Sequence, residues 1–236
     1  FKAVPLYIGT ESLCSVVLMD ANVTEFDDVG DILVLPLFEG VDKAPNNALA
    51  GLARTQRALV NEALASASFT GKAGKRLSVW TAGCQIVLVG MGESPSDKAY
   101  RDGGAKTLAA LSKDHGVNIT VRFTTGWKSG QMALFSEGML LRDYAFDQYM
   151  QKEEGDEQDD WTLTVQASPR HQSALSAAVD KSVGLASGVK VARDVCNEPP
   201  NVMFPDAYAE RALAWAEGKA EVEVEVWDYA RLQKEG

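Results

Sequence analysis

The stretch Val89-Gly90-Met91-Gly92-Glu93 ends an apolar run with two glycines, and backbone amides exposed in such a turn can cradle a phosphate. The spacing matches neither GxGxxG nor the GxxxxGK motif of P-loops, so a structural turn is expected. His115 and His171 are the only histidines. Neither belongs to an HExxH motif or an i, i+4 pair that would hold a metal, and exposed positions are expected for both. Cys14, Cys84 and Cys196 are far apart and lack CxxC spacing, a pattern of buried free thiols rather than of a disulfide framework or zinc knuckle. No GxSxG elbow is present. The run from Gln151 to Asp160 carries six acids and one lysine. It lacks the EF-hand calcium-loop pattern, and an exposed, solvated loop is expected. Motifs alone therefore assign no catalytic, metal-ligating or cofactor-binding residue.

The elements around these residues alternate between strand and helix patterns. Short apolar, β-branched runs at 15–20 and 31–38 predict strands buried on both faces. Leu49, Leu52, Ala53, Val60, Ala63 and Leu64 recur at helical spacing, which predicts a helix over 47–65. Runs at 76–80 and 85–90, separated by Thr81 to Cys84, predict an antiparallel hairpin and hence a mixed sheet. Helices at 96–113 and 129–141 bracket a strand at 117–123, and a further strand follows at 161–167. The alternation predicts a layered α/β domain with helices on both faces of its sheet.

The chain of 236 residues is 46% apolar and 24% charged, ordinary values for a protein that buries a core. No apolar run approaches the roughly 20 residues of a membrane-spanning helix, and the N-terminus lacks the pattern of a secretory signal. A cytoplasmic protein is expected. The net charge of −10 repels phosphate backbones, and the densest basic group, Lys72, Lys75 and Arg76, is small, so nucleic-acid binding is disfavoured.

Beyond Pro169 the pattern fits one long helix to about Asp194, with Leu175, Ala178, Val179, Ser182, Leu185, Ala186, Val189 and Val191 on its apolar side. Gly184 and Gly188 weaken such a helix and suggest close packing against another element. Pro199 and Pro200 stop it. Pro205 and Asp206 suit the first turn of a new helix to about Glu217. Residues 221–228, EVEVEVWD, alternate acid and apolar side chains as a one-sided strand would, and Asp228 could cap a further helix.

The segments EGMLLRDYAFDQYM (137–150) and GLASGVKVARDVCNEPPNVMFPDAYAERA (184–212), with IVLVGMG before them, resemble the leucyl aminopeptidase family of two-metal cytosol aminopeptidases. The most specific part is a helix ending in Ala-Arg-Asp followed by Asn197, Pro199, Pro200, Asn201 and Pro205. Phe204 departs from the pattern, standing where the family usually has Thr or Ser.

The resemblance implies an N-terminal macro-like α/β domain (1–168), a connecting helix (169–196), and the first helix and strand of a catalytic domain (197–236) whose remainder follows in the full-length protein. It also implies two divalent ions, Zn, Mn or Mg, in the full-length enzyme, peptide substrates, and a homo-oligomer, commonly a hexamer. The family's ligands come from a lysine, aspartates and a glutamate in motifs resembling NTDAEGR. Those motifs do not occur here, so catalytic, metal and cofactor-binding residues are all expected to be absent from this segment, and Asp206 and Asp228 are expected to serve only helix starts. The alternative is a macro-like module without catalysis, used for assembly or for binding a nucleotide such as ADP-ribose with the Gly90 turn at its phosphate.

Overall fold

A computed structural model describes residues 20–24, 29–40, 44–67, 69–111, 118–151 and 161–236. Cys14, His115, nearly all of the acidic run and all but Asp20 of the strand expected at 15–20 lie outside these residues. The described strands are β1 (Asp20–Thr24), β2 (Ile32–Leu37), β3 (Arg76–Thr81), β4 (Cys84–Gly90), β5 (Asn118–Arg122) and β6 (Thr162–Gln166). The helices are α1 (Arg54–Ala67), α2 (Asp97–Leu111), α3 (Ser129–Arg142), α4 (Gln172–Asn197), α5 (Pro205–Ala216) and α6 (Tyr229–Glu235). The described residues up to Lys190 belong to one compact unit and those from Val191 onward to another, with α4 running across the division.

In the first unit the strands form a six-stranded sheet in the order β1-β6-β5-β2-β4-β3. All neighbours are parallel except the expected hairpin, in which β3 runs antiparallel to β4 and closes at the Thr81↔Cys84 pair. The fold class is therefore α/β with a mixed sheet, as the alternation predicted.

Alternate residues of each strand face opposite sides, and two cores result. Val34 of β2, Val87 of β4, Val121 of β5 and Val165 of β6 pack with Leu108 of α2, Phe135 of α3 and Val179 of α4. On the other face Leu33, Leu35, Ile86 and Leu88 pack with Val60 and Leu64 of α1. The chain leaving β2 thus enters α1 on one face, whereas the chains leaving β4 and β5 enter α2 and α3 on the opposite face. β2 and β5 are adjacent strands whose connections diverge. Their pairing runs only from Ile32↔Ile119 to Val34↔Val121. Pro36, which has no N–H to donate, lies past that last pair and so leaves no donor missing from the β2–β5 ladder.

Three expectations need correction. The helix placed at 47–65 begins only at Arg54. Residues 45–52 instead form consecutive tight turns, with Ala48 N–H donating to Pro45 and Leu49 N–H to Asn46, and Gly51 at a φ of 74° interrupts helical continuation. Leu49, Leu52, Val60 and Leu64 are buried but Ala53 is exposed, so the apolar spacing reported most of the core correctly and the backbone wrongly. Residues 221–228 are not a strand. Val222 and Val224 are half-buried between exposed Glu221, Glu223 and Glu225, yet none of the described residues supplies a partner ladder, and a strand is defined by that pairing.

The third correction concerns α4. A Cβ added at Gly184 or Gly188 meets nothing within 4 Å, so neither glycine admits a packed neighbour. Gly184→Ala and Gly188→Ala should each stabilise the chain by about 0.5 to 1 kcal/mol, because alanine restores helix propensity without a clash. Thermal unfolding checks this, and a lower melting temperature for both variants would contradict it.

The helix expected from about 96 is α2, with Ser96 Oγ accepting from Ala99 N–H. In the second unit α5 begins at Pro205 behind Phe204, which has no side-chain cap bond. Asp228 caps α6 by accepting from Arg231 N–H at 2.8 Å. The joint between α4 and α5 is held by Glu198, whose side chain is 3% exposed and accepts from Arg211 at 3.0 Å. No described helix is long and apolar enough to cross a membrane.

Candidate functional site

The carboxyl ends of β2, β5 and β6 surround a cleft of about 360 Å³, lined by Asn47, Phe123, Thr124, Thr125, Met132, Ser168, Pro169 and Arg170. Its position follows from the connections. Adjacent parallel strands that send their chains to opposite faces leave a crevice at their carboxyl ends, where open α/β sheets bind ligands. Asn47 comes from the connection after β2, Phe123 to Thr125 from that after β5, and Ser168 to Arg170 from that after β6.

Arg122, the last residue of β5, fixes the wall of this cleft. It is fully buried and points to the face opposite Val121. Its Nε donates to Gln166 Oε1 at 2.8 Å, and its Nη1 donates to the carbonyls of Ala48 at 3.1 Å and Ala50 at 2.5 Å. A guanidinium presents several donors in a rigid plane. Here that plane ties the ends of β5 and β6 to the turns that carry Asn47.

The floor rests on an aromatic cluster. Trp127 lies 4.7 Å from Phe123, 4.9 Å from Phe38 and 5.3 Å from Tyr100, ring centre to ring centre. Its Nε1 is buried and has no hydrogen-bond partner among the described residues.

His171 sits beside the cleft, half-buried rather than exposed as expected. Its Nε2 accepts from Arg170 Nε at 3.0 Å, and its Nδ1 lies 3.0 Å from Ser129 Oγ. An arginine Nε–H only donates, so Nε2 is the accepting nitrogen and Nδ1 carries the proton and donates to Ser129. The pair is therefore the reverse of an activated serine, whose hydroxyl would have to donate to the imidazole. It orients Arg170 and anchors the first turn of α3.

The other candidates from sequence lie elsewhere. The Val89 to Glu93 turn is structural: Gly90 N–H donates to Lys75, Met91 N–H to Leu37 and Gly92 N–H to Gly71. These amides are committed to backbone carbonyls, and a Cβ at Gly90 would stand 2.1 Å from the Lys72 oxygen. The turn offers no phosphate cradle. Cys84 is a buried thiol as expected, its pKa raised chiefly by burial. Cys196 is exposed, contrary to expectation. Only Val195 beside it is apolar, with Asp194, Asn197 and Glu198 around it, and helical geometry turns it outward from α4.

Among the described residues no group of three or more His, Cys, Asp or Glu side chains is placed to hold a metal ion. Sequence motifs also passed over Asn47, Thr124, Thr125, Ser168 and Arg170. The only available signal was that each follows a strand end, which singles out a residue only once the strand order is known.

Comparison with known proteins places the chain. Residues 34–153 match the family model described as the cytosol aminopeptidase family, N-terminal domain. A probable cytosol aminopeptidase of Rhodopseudomonas palustris is 32% identical over 179 residues, covering 72% of this chain and 35% of the relative. Another from Methylorubrum extorquens is 32% identical over 223 residues, covering 88% of this chain and 42% of the relative. The chain thus spans well under half the length of these relatives. Among solved structures, a tomato leucine aminopeptidase mutant superposes with a TM-score of 0.71 at 20% identity, over 92% of this chain and 46% of that one. The bottromycin maturation enzyme BotP, in complex with Mn, gives a TM-score of 0.61 at 19% identity, over 86% and 40%. These two likenesses are of fold, with a sheet and flanking helices in common. The family match across residues 34–153 is the finding that decides kinship: the chain belongs to the cytosol aminopeptidase family and carries that family's N-terminal domain.

Proposed function

We propose that this chain is the non-catalytic N-terminal portion of a cytoplasmic, metal-dependent leucyl aminopeptidase that releases N-terminal residues from peptides. The domain limits proposed are 1–168 for the macro-like domain, 169–196 for the connecting helix and 197–236 for the start of the catalytic domain. The observation that carries the reading is the match of residues 34–153 to the family's N-terminal domain. The two divalent ions, Zn, Mn or Mg, would be held by residues outside this chain. Its own contribution would be assembly of a homo-oligomer, with a hexamer the leading expectation, and control of access to the catalytic domain.

The second unit adds support. α5 has no buried residue, and Phe204, Tyr208, Leu213, Trp215, Val226, Trp227, Tyr229 and Leu232 are all exposed. A contiguous stretch this rich in uncovered large apolar side chains is atypical of a finished surface. It suits the opening elements of a larger domain.

The polypeptide encoded by the complete reading frame tests the proposal. It should release p-nitroaniline from leucine p-nitroanilide only with a divalent metal present, and it should contain an Asn-Thr-Asp-Ala-Glu-Gly stretch after this segment. A frame lacking that stretch, together with no activity in Zn²⁺, Mn²⁺ or Mg²⁺, would overturn it.

A further inference from the structure

We propose that the cleft at the carboxyl ends of β2, β5 and β6 binds a small phosphate-bearing ligand, with Arg170 and Thr124 as its principal contacts. Three independent observations converge there. The first is topology: the cleft lies where the connections of β2 and β5 diverge, the position at which an open sheet leaves room for a ligand. Its volume of about 360 Å³ is suited to a small molecule.

The second is charge. The lining contains one cation, Arg170, and no Asp or Glu, in a chain whose net charge is −10. A locally cationic cleft on an acidic protein selects anions by its immediate surroundings rather than by the overall field. Arg170 is exposed and is held by its Nε bond to His171, which leaves both Nη groups available. Their planar, paired donors match the oxygens of a phosphate.

The third is a hydroxyl at the cleft wall. Thr124 is 7% exposed and lines the cleft; its Oγ1 is not among the buried side-chain atoms left without a partner, so it opens to the cleft and can donate to a ligand there. Thr125, Ser168 and Asn47 add further donors around the same space, and α3 begins at Ser129, so the positive end of a 14-residue helix lies close in sequence. Phe123, Met132 and Pro169 supply an apolar side against which the organic part of an ester could rest.

Isothermal titration of the 236-residue chain with inorganic phosphate and with adenosine 5′-monophosphate tests this, run on wild type, Arg170→Gln and Thr124→Val. Saturable binding with micromolar to millimolar affinity is expected for at least one probe, weakened about tenfold by each substitution. Tighter binding of the nucleotide would assign the site to phosphate esters, and binding of inorganic phosphate alone would assign it to the free anion. Arg170 is exposed, so its variant should fold normally, and a circular dichroism melt checks the Thr124 variant. No saturable binding of either probe, or binding that Arg170→Gln leaves unchanged, would overturn the proposal.

Discussion

Replacing Arg122 with Met should lower the unfolding free energy by about 3 to 5 kcal/mol, the largest loss expected from a single side chain in this protein. The reason is the set of groups left behind. Gln166 Oε1 and the carbonyls of Ala48 and Ala50 all accept from the guanidinium, in a place without solvent access to the arginine. A buried acceptor that loses its donor costs about 1 to 3 kcal/mol. Methionine fills much of the volume but donates nothing. Since small domains are stable by only about 5 to 15 kcal/mol, a loss on this scale brings the chain near the point of unfolding. Arg122→Lys should recover only part of it, because one ammonium cannot reproduce the planar fork. Urea denaturation with an unchanged slope measures the effect, and a loss below about 1 kcal/mol would refute this account of Arg122.

Gly104→Ala should cost about 2 to 4 kcal/mol, although alanine is the better helix former by about 1 kcal/mol. A Cβ at Gly104 of α2 would stand 1.9 Å from the Phe135 carbonyl oxygen and 3.2 Å from Met139 N, both backbone atoms of α3. The converse holds at Gly138, where a Cβ would stand 1.9 Å from the Arg101 oxygen. The two helices touch backbone to backbone through reciprocal glycines. Neither clash can be relieved by a rotamer change, so the helices must separate and loosen the contacts of Leu108, Phe135 and Met139 with the sheet. Gly138→Ala should behave alike, and the double variant should lose less than the sum, since one separation relieves both clashes. Calorimetric or urea unfolding reads this directly. Unchanged stability in both single variants would show that the helices do not approach as described.

These glycines mark the boundary of what the sequence made legible. Gly184 and Gly188 in α4 stand out in the sequence because they interrupt a long helix, yet they face open space. Gly104 and Gly138 sit in ordinary amphipathic patterns and carry the close contact. Periodicity reports which side of a helix is apolar, but not the distance to the neighbouring backbone. The strands β2 to β6, being short, apolar and bounded by turns, were legible nearly to the residue, as was the hairpin of β3 and β4, whereas β1 at Asp20–Thr24 was not read as a strand beyond Asp20. Strand order was not, because it depends on pairings between distant segments such as Ile32 with both Gln85 and Ile119.

The cleft was illegible for the same reason. Asn47, Thr124, Ser168 and Arg170 come from three connections, and no spacing in the chain relates them. Arg122 reads as a polar interruption at the end of an apolar strand, with no hint that it is the fully buried tie between β5, β6 and the turns after β2. The 221–228 segment failed in the opposite way: its alternation is strand-like, and no described neighbour completes the ladder.

The central claim, that this chain supports a metallo-aminopeptidase without carrying its chemistry, is tested most directly by assaying the purified 236-residue chain on leucine p-nitroanilide with Zn²⁺, Mn²⁺ and Mg²⁺ in turn. Release of p-nitroaniline no faster than in buffer with metal is the predicted result. Saturable, chelator-sensitive hydrolysis by the chain alone would contradict it.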